Sequence, residues 1–434
     1  MSRHSPDHPA YRLGHETLGP VFAAFAMLLL RETSARGITR LAFIARDGDL
    51  LRDATAGLQS GTGPGPELRY LHVSRRLTAL AVLTRLELAD IDATHRVRAG
   101  PPTLGKCLEY FGLDSLPLTP WLVKYGLDVA ASPPRDRLVQ LLADPGFRGA
   151  VATQAAAQRA RLHHYLRQEA ILDDHTTGCV DIGWRGSTQR HLEAVLGSSA
   201  MPLRWFYFGL WNDHAAQPAP ANAIGLIGDQ RRRSSLLEGA ARQAAHLLEA
   251  VCRRNEGTAL GYDERDGCLV PRLLSDDARR AEIACAKVVA PIRSGILDRV
   301  AELAADARWL DLPTPELRRR AQHTLRQLAF FPSAEAIEIG RRLVHTEGHD
   351  TAWHAPLILP GPHPWHAPRR WLAGLASPWR AGYVSATAGP IGALLFALQE
   401  CTFSRLPVSM HAGLANLARR LAGIPVQPGD KGPP

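Results

Sequence analysis

Three apolar runs of strand length, residues 41–45, 68–73 and 178–181, each stop at a loop of charged, polar or glycine residues. Apolar spacing predicts a helix over 18–36, ended by Gly37, before the first run and another over 50–58 after it. Alternating helix and strand imply a parallel sheet, because parallel neighbours must be joined by crossovers, and ligands then gather beyond the carboxyl ends of the strands. A fourth strand is expected over 203–210 and a short fifth over 223–227. If the strands are neighbours, the loops at 45–49, 74–76 and 181–188 converge on one pocket.

At 434 residues the chain exceeds one small core. An α/β domain is expected over 18–275, interrupted by an Ala-, Leu- and Arg-rich helical insertion over about 77–175 that would serve as a cap or acceptor-binding subdomain. A basic turn at 231–233, a helix over 235–254 and a hairpin over 255–271 that turns at Asp266-Gly267 complete that domain. A mostly helical C-terminal domain is expected over 276–425, broken by a Pro-, Trp- and His-rich segment at 354–379 with the character of a lid or docking loop.

The formal net charge is +9, and nearly every cation is Arg, with Lys only at 106, 124, 287 and 431. Guanidinium groups suit forked contacts with phosphate or carboxylate, although a GC-rich genome produces the same excess. The expected partner is an anionic substrate or membrane surface, with no nucleic acid. Six cysteines show no C-x-x-C spacing, so neither a zinc site nor a disulfide framework is indicated. Residues 1–9 are polar and the apolar run at 18–30 is short for a bilayer span, so a cytoplasmic protein is expected.

The stretch GCVDIGWRGSTQRHLEAVL, 178–196, carries most of the chemistry. Gly183 and Gly186 would form a tight loop running into a helix that begins near Ser187 and Thr188. Such a loop aims backbone N–H groups and the helix dipole at an anion, while Asp181 suits a sugar hydroxyl or a metal. An ordinary strand–turn–helix joint has the same outline. Trp184 and Arg185 fall inside this loop, where an exposed Trp gains little unless it stacks on a sugar ring or a neighbouring side chain.

Arg46-Asp47-Gly48 reads in two ways. In one it is a diphosphate loop, with Arg46 on anionic oxygens, Gly48 admitting the backbone, and Asp47 on a metal or a hydroxyl; in the other it is a tight turn capped by the Asp. Ser74, Arg75 and Arg76 offer a hydroxyl and two guanidinium groups to phosphates, or else solvated surface charge. Glu249, near His246 on one helix, is a general base or metal ligand, or a surface carboxylate paired with Arg253. His345, His349, His354, His363 and His366 show no zinc spacing and are expected in loops. Asp47-Gly48-Asp49 with Ser74 imitates the D-x-D motif of haloacid-dehalogenase phosphatases, but Arg46 interrupts the strand before it and no further acids follow Asp181.

Taken together, FIARDGDLL, YLHVSRR, VDIGWRGSTQ and the later HLLEAV, GTALGY and VP resemble the glycan phosphoribosyltransferase module of bacterial dual-domain ribofuranosyltransferases, over about residues 18–271. The resemblance implies a Rossmann-like or phosphoribosyltransferase-like core and 5-phosphoribosyl diphosphate as donor. It implies a lipid-linked glycan acceptor in capsule or O-antigen assembly, and transfer of a 5-phospho-β-ribofuranosyl unit with inversion. It places Arg46 to Gly48 at the diphosphate, Ser74 to Arg76 as added positive charge, Gly183 to Thr188 at the 5-phosphate, and Asp181 on the ribose hydroxyls. Asp47 is then the first candidate for the general base and Glu249 the second, and Mg2+ would accompany the donor on Asp47 and Asp181. Only seventeen residues precede the first matching helix, so the phosphatase that dual-domain members carry would be a separate protein. The basic surface and residues 365–379 would rest on the inner-membrane face. Two alternatives stand beside this one: a haloacid-dehalogenase-like phosphatase using Asp47 and Asp49, and a non-catalytic component of a polysaccharide assembly complex.

Overall fold

The computed structural model describes residues 5–95, 103–172, 176–197, 203–211, 222–229, 242–347 and 350–403. Five parallel strands, β1 (Arg40–Ile44), β2 (Glu67–Leu71), β3 (Thr177–Trp184), β4 (Arg204–Leu210) and β5 (Ala223–Asp229), lie in the order β2-β1-β3-β4-β5. The core is therefore a five-stranded parallel α/β sheet, consistent with a Rossmann-like core. Strand order reverses between β1 and β3, where Phe43 stands opposite Val180. Connections leave such a point toward opposite faces, so the crevice expected of such a sheet falls beyond the two carboxyl ends.

Both faces of the sheet are covered, which is why its strands read as nearly continuous apolar runs. Leu41, Phe43, Val180 and Ile182 join one hydrophobic cluster; Ala42, Ile44 and Cys179 join the other. On the first face lies the helix Gly19–Ala35, buried without a break from Val21 to Leu29, as expected of a helix that is apolar all round. Its Phe22 and Phe25 meet Phe208 of β4, and it also packs on the helices Gly48–Thr62 and Arg280–Ala304. The second face carries the helices Arg75–Val82, Pro145–Gln168 and Ser187–Leu196 and a hairpin of β6 (Ala259–Arg265) and β7 (Cys268–Leu273). Asp266 and Gly267, with φ of 52° and 76°, form the turn predicted for that hairpin. The insertion has a cluster of its own, built around Leu104, Leu108, Leu113, Leu138 and Phe147.

Three features differ from expectation. No break in the core falls at residue 275, because Arg280–Ala304 packs onto Gly19–Ala35 and Gly48–Thr62, and one cluster runs from Ala10 through Ile296 and Leu325 to Phe396. A hairpin of β8 (Val344–Glu347) and β9 (Asp350–Pro356) interrupts the C-terminal helices. The segment 354–379 is also anchored rather than loose, since Trp379 is fully buried and donates to the Ala329 carbonyl at 3.1 Å, while Trp365 is exposed. Among the described residues two helices are long and apolar enough to cross a membrane, Pro9–Ala35 and Arg380–Glu400. The first, lengthened by a π-helical turn at Leu13–Leu18, lies mostly in the core; Ile391, Leu394, Leu395 and Leu398 of the second are exposed. The basic turn at 231–233, the start of the helix expected over 235–254, and residues beyond 403 lie outside the described residues.

Candidate functional site

Beyond Ile44 the chain turns through Ala45, Arg46 and Asp47 into the helix Gly48–Thr62. Asp47 occupies the N-cap position, yet its side chain makes no capping bond. Its carboxylate is thereby left for the crevice, and the reading of a merely capped turn is not met. Gly48 serves packing rather than ligand approach: a Cβ there would lie 2.9 Å from the Phe43 carbonyl carbon, so its absence lets the helix start settle onto β1.

β3 runs straight through the stretch expected to be a glycine loop and ends only at Trp184. Gly183 has φ +127°, and a Cβ on it would stand 2.0 Å from the Gly209 carbonyl oxygen, so glycine is required where β3 meets β4. The peptide bonds Ala45-Arg46 and Gly183-Trp184, at the ends of the adjacent strands β1 and β3, are both cis. Alternation along β3 puts Asp181 on the face of Cys179 and sends Ile182 and Trp184 to the other cluster. Trp184 is therefore not an exposed loop residue. Only 6% exposed, it stacks on Trp211 with ring centroids 4.7 Å apart and meets Phe208 edge-on. The loop shrinks to Arg185, which is exposed, and Gly186, whose φ of +65° leads into Ser187–Leu196 with Ser187 half-buried and Thr188 buried.

Asp47, just past β1, and Asp181, in the adjacent β3, both stand where strand order reverses. Burial, and then the negative charge of Glu249, push Asp47 up to about 6, against the pull of Arg253, Arg46 and Arg75. Burial and then the Asp47 charge push Asp181 up to about 7, while Arg75 and the backbone at Ile182 and Gly183 hold it down. Arg75 is exposed and its charge bears on both carboxylates.

The neighbouring residues are drawn elsewhere. Ser74 caps Arg75–Val82, its Oγ accepting from Leu77 N–H at 3.1 Å and donating to the Ala259 carbonyl at 2.6 Å. Arg76 is buried against Asp114 and lies 3.6 Å from Glu109 of the insertion. Arg46 is buried in an ion pair with Glu282 at 2.6 Å, and Glu282 also takes Arg253 at 3.2 Å and the Thr346 hydroxyl at 2.6 Å. Asp49 is bound by Arg293 at 2.6 Å, with Arg52 at 3.3 Å, on the helix that leads away from the crevice.

Glu249, on the helix Ala245–Cys252, is neither on the surface nor paired with Arg253. Its Oε1 accepts from the Trp184 indole at 2.8 Å, and its Oε2 lies 3.2 Å from His246 Nδ1 and 3.7 Å from His345 Nδ1. Burial works against the charge, but His246 and then His345 and the Trp184 bond prevail and take the carboxyl down to about 2. His345 was expected in a loop; it is buried in β8 with its ring 4.0 Å from that of His246. The i, i+3 pair His246 and Glu249 was visible in the sequence. Nothing in the sequence linked it to residue 345, because only the unexpected β8–β9 hairpin brings that residue back.

A scan against protein-family models finds no match to this chain, and a search among curated proteins finds none either. A polar cleft of about 420 Å³ between Pro145–Gln168 and the β6–β7 hairpin, lined by Gln158, Arg161, His164, Asp263 and Arg272, contains none of the predicted site residues.

Proposed function

We propose that this protein is a glycan phosphoribosyltransferase that moves a 5-phosphoribosyl unit from 5-phosphoribosyl diphosphate to a glycan hydroxyl in bacterial surface-polysaccharide assembly. The observation that supports the reading is the placement of Asp47, just past β1, and Asp181, in the adjacent β3, where strand order reverses, with the charge of Arg75 bearing on both. In the proposed step the acceptor oxygen bonds to the ribose anomeric carbon, the bond to diphosphate breaks with its electron pair, and the acceptor proton passes to Asp47. A base with a pKa near 6 is ionised yet still a competent proton acceptor at neutral pH. Glu249, held near 2, is a poorer base, which ranks it behind Asp47.

Asp181 would hold the ribose hydroxyls. Arg75 and the N–H groups that open Ser187–Leu196 would oppose the charge gathering on the phosphates. Arg46 and Arg76, spent on Glu282 and Asp114, would support the loops rather than touch the donor. Asp47 and Asp181 would be the carboxylate oxygens that hold Mg2+, which when bound would neutralise the donor diphosphate. Acting on lipid-linked glycans, the enzyme would work at the inner-membrane face. The phosphatase reading of this chain loses support because Asp49 lies in the arginine cluster and not beside Asp47.

The test is calorimetric titration of the protein with 5-phosphoribosyl diphosphate, with and without Mg2+, beside Asp181→Asn and Arg75→Ala. Micromolar binding weakened in both variants is expected. No heat under either condition would remove the donor, and with it the transferase.

A further inference from the structure

We infer that His246, Glu249 and His345 form a binding site for one divalent transition-metal ion of the zinc class. The ligating atoms of the three residues lie within 4.8 Å of one another, a group drawn from a helix and a hairpin, with His345 at least 96 residues from the other two in sequence. In a four-coordinate site with metal–ligand bonds of about 2.0–2.1 Å, neighbouring ligand atoms sit roughly 3.3–3.4 Å apart. The separations from Glu249 Oε2, 3.2 Å to His246 Nδ1 and 3.7 Å to His345 Nδ1, fall on either side of that edge length.

An ordinary ion pair explains one imidazole on a carboxylate less awkwardly than two. Protonating both rings, whose centroids are 4.0 Å apart, would set two cations against each other; one metal ion lets both rings stay neutral and point at the same place. The carboxylate is already oriented for this, because the buried Trp184 holds Oε1 and leaves Oε2 toward the imidazoles. Metal ligands are commonly held by such an outer hydrogen bond. Two nitrogens and one oxygen favour Zn2+, Fe2+ or Co2+ over Mg2+, which prefers oxygen, and three protein ligands leave a position for water or a substrate oxygen.

This goes beyond the donor reading and is tested without donor. Chelator-stripped full-length protein is titrated with Co2+, followed by its visible spectrum, and with Zn2+, followed by heat. The expected result is one equivalent bound, with a Co2+ absorption band that Zn2+ bleaches, lost in His246→Asn and His345→Asn and about tenfold weaker in Trp184→Phe. His246 is 39% exposed in its side chain, so its variant should fold and decides the matter if His345→Asn does not. No saturable binding, or binding that His246→Asn retains, overturns the assignment. Loss in His363→Ala instead would move the ion to the His363–His366 pair, whose rings are 5.6 Å apart, and overturn it equally.

Discussion

The indole N–H of Trp184 donates to Glu249 Oε1 at 2.8 Å, tying the end of the central strand to the helix Ala245–Cys252. One bond thus couples the sheet's crevice to the imidazole pair behind it. Trp184→Phe keeps most of the ring stacking on Trp211 but strands a buried carboxylate oxygen. Urea denaturation should show a loss of about 1–3 kcal/mol.

Glu282 is the acceptor for Arg46, Arg253 and Thr346 and is itself buried. Removing it leaves two guanidinium groups without their common counter-charge. Glu282→Ala is expected to destabilise by about 3–5 kcal/mol, and adding Arg46→Met to recover part of that loss. If thermal melts show no recovery in the double variant, the pair is not the source of the cost.

Asp181 should make stability fall as pH rises. Its folded pKa of about 7 lies above the ordinary 3.8, so the folded chain binds the proton more tightly than the unfolded one. The stability this contributes is fully present below pH 3.8 and is lost as pH climbs through 7. Asp181→Asn, which never ionises, should therefore be the more stable protein at pH 8, by on the order of 2 kcal/mol after allowance for screening at a half-buried group, with the difference shrinking toward pH 4. Denaturation midpoints at the two pH values measure it.

Asp47→Asn should reduce diphosphate release by about 100-fold or more while donor binding survives, as expected for loss of a general base. The wild-type rate should rise through a pKa near 6. A variant that releases diphosphate at the wild-type rate would move the base elsewhere.

Asp49→Asn separates the transferase from the phosphatase. Its partners Arg293 and Arg52 belong to a helix-packing cluster, so the variant should lose stability, by about 1–3 kcal/mol, and keep donor binding. Phosphatase activity that disappears with Asp49 would reverse the preference.

The sequence by itself determined the sheet. Leu41 to Ile44 and Cys179 to Val180 are apolar on consecutive positions, a pattern that suits a short strand buried on both faces, and the polar residues after each run marked the end at which Asp47 and Asp181 stand. Tertiary structure decided which side chains remain for ligands. Arg46, Arg76 and Asp49 looked as available as Arg75, but each found a counter-charge contributed by another segment: Glu282, Asp114 and Arg293. Trp184 looked like loop because Gly183 and Gly186 suggested a turn, whereas the close approach of Gly209 made Gly183 part of the strand and turned the indole into the core. His345 joined His246 and Glu249 only through a hairpin with four residues in its first strand, too short to leave a period in the sequence. Local patterning sets which residues are buried on which face. The pairing of charges depends on contacts between residues 38 to 244 positions apart, which no short window of sequence contains.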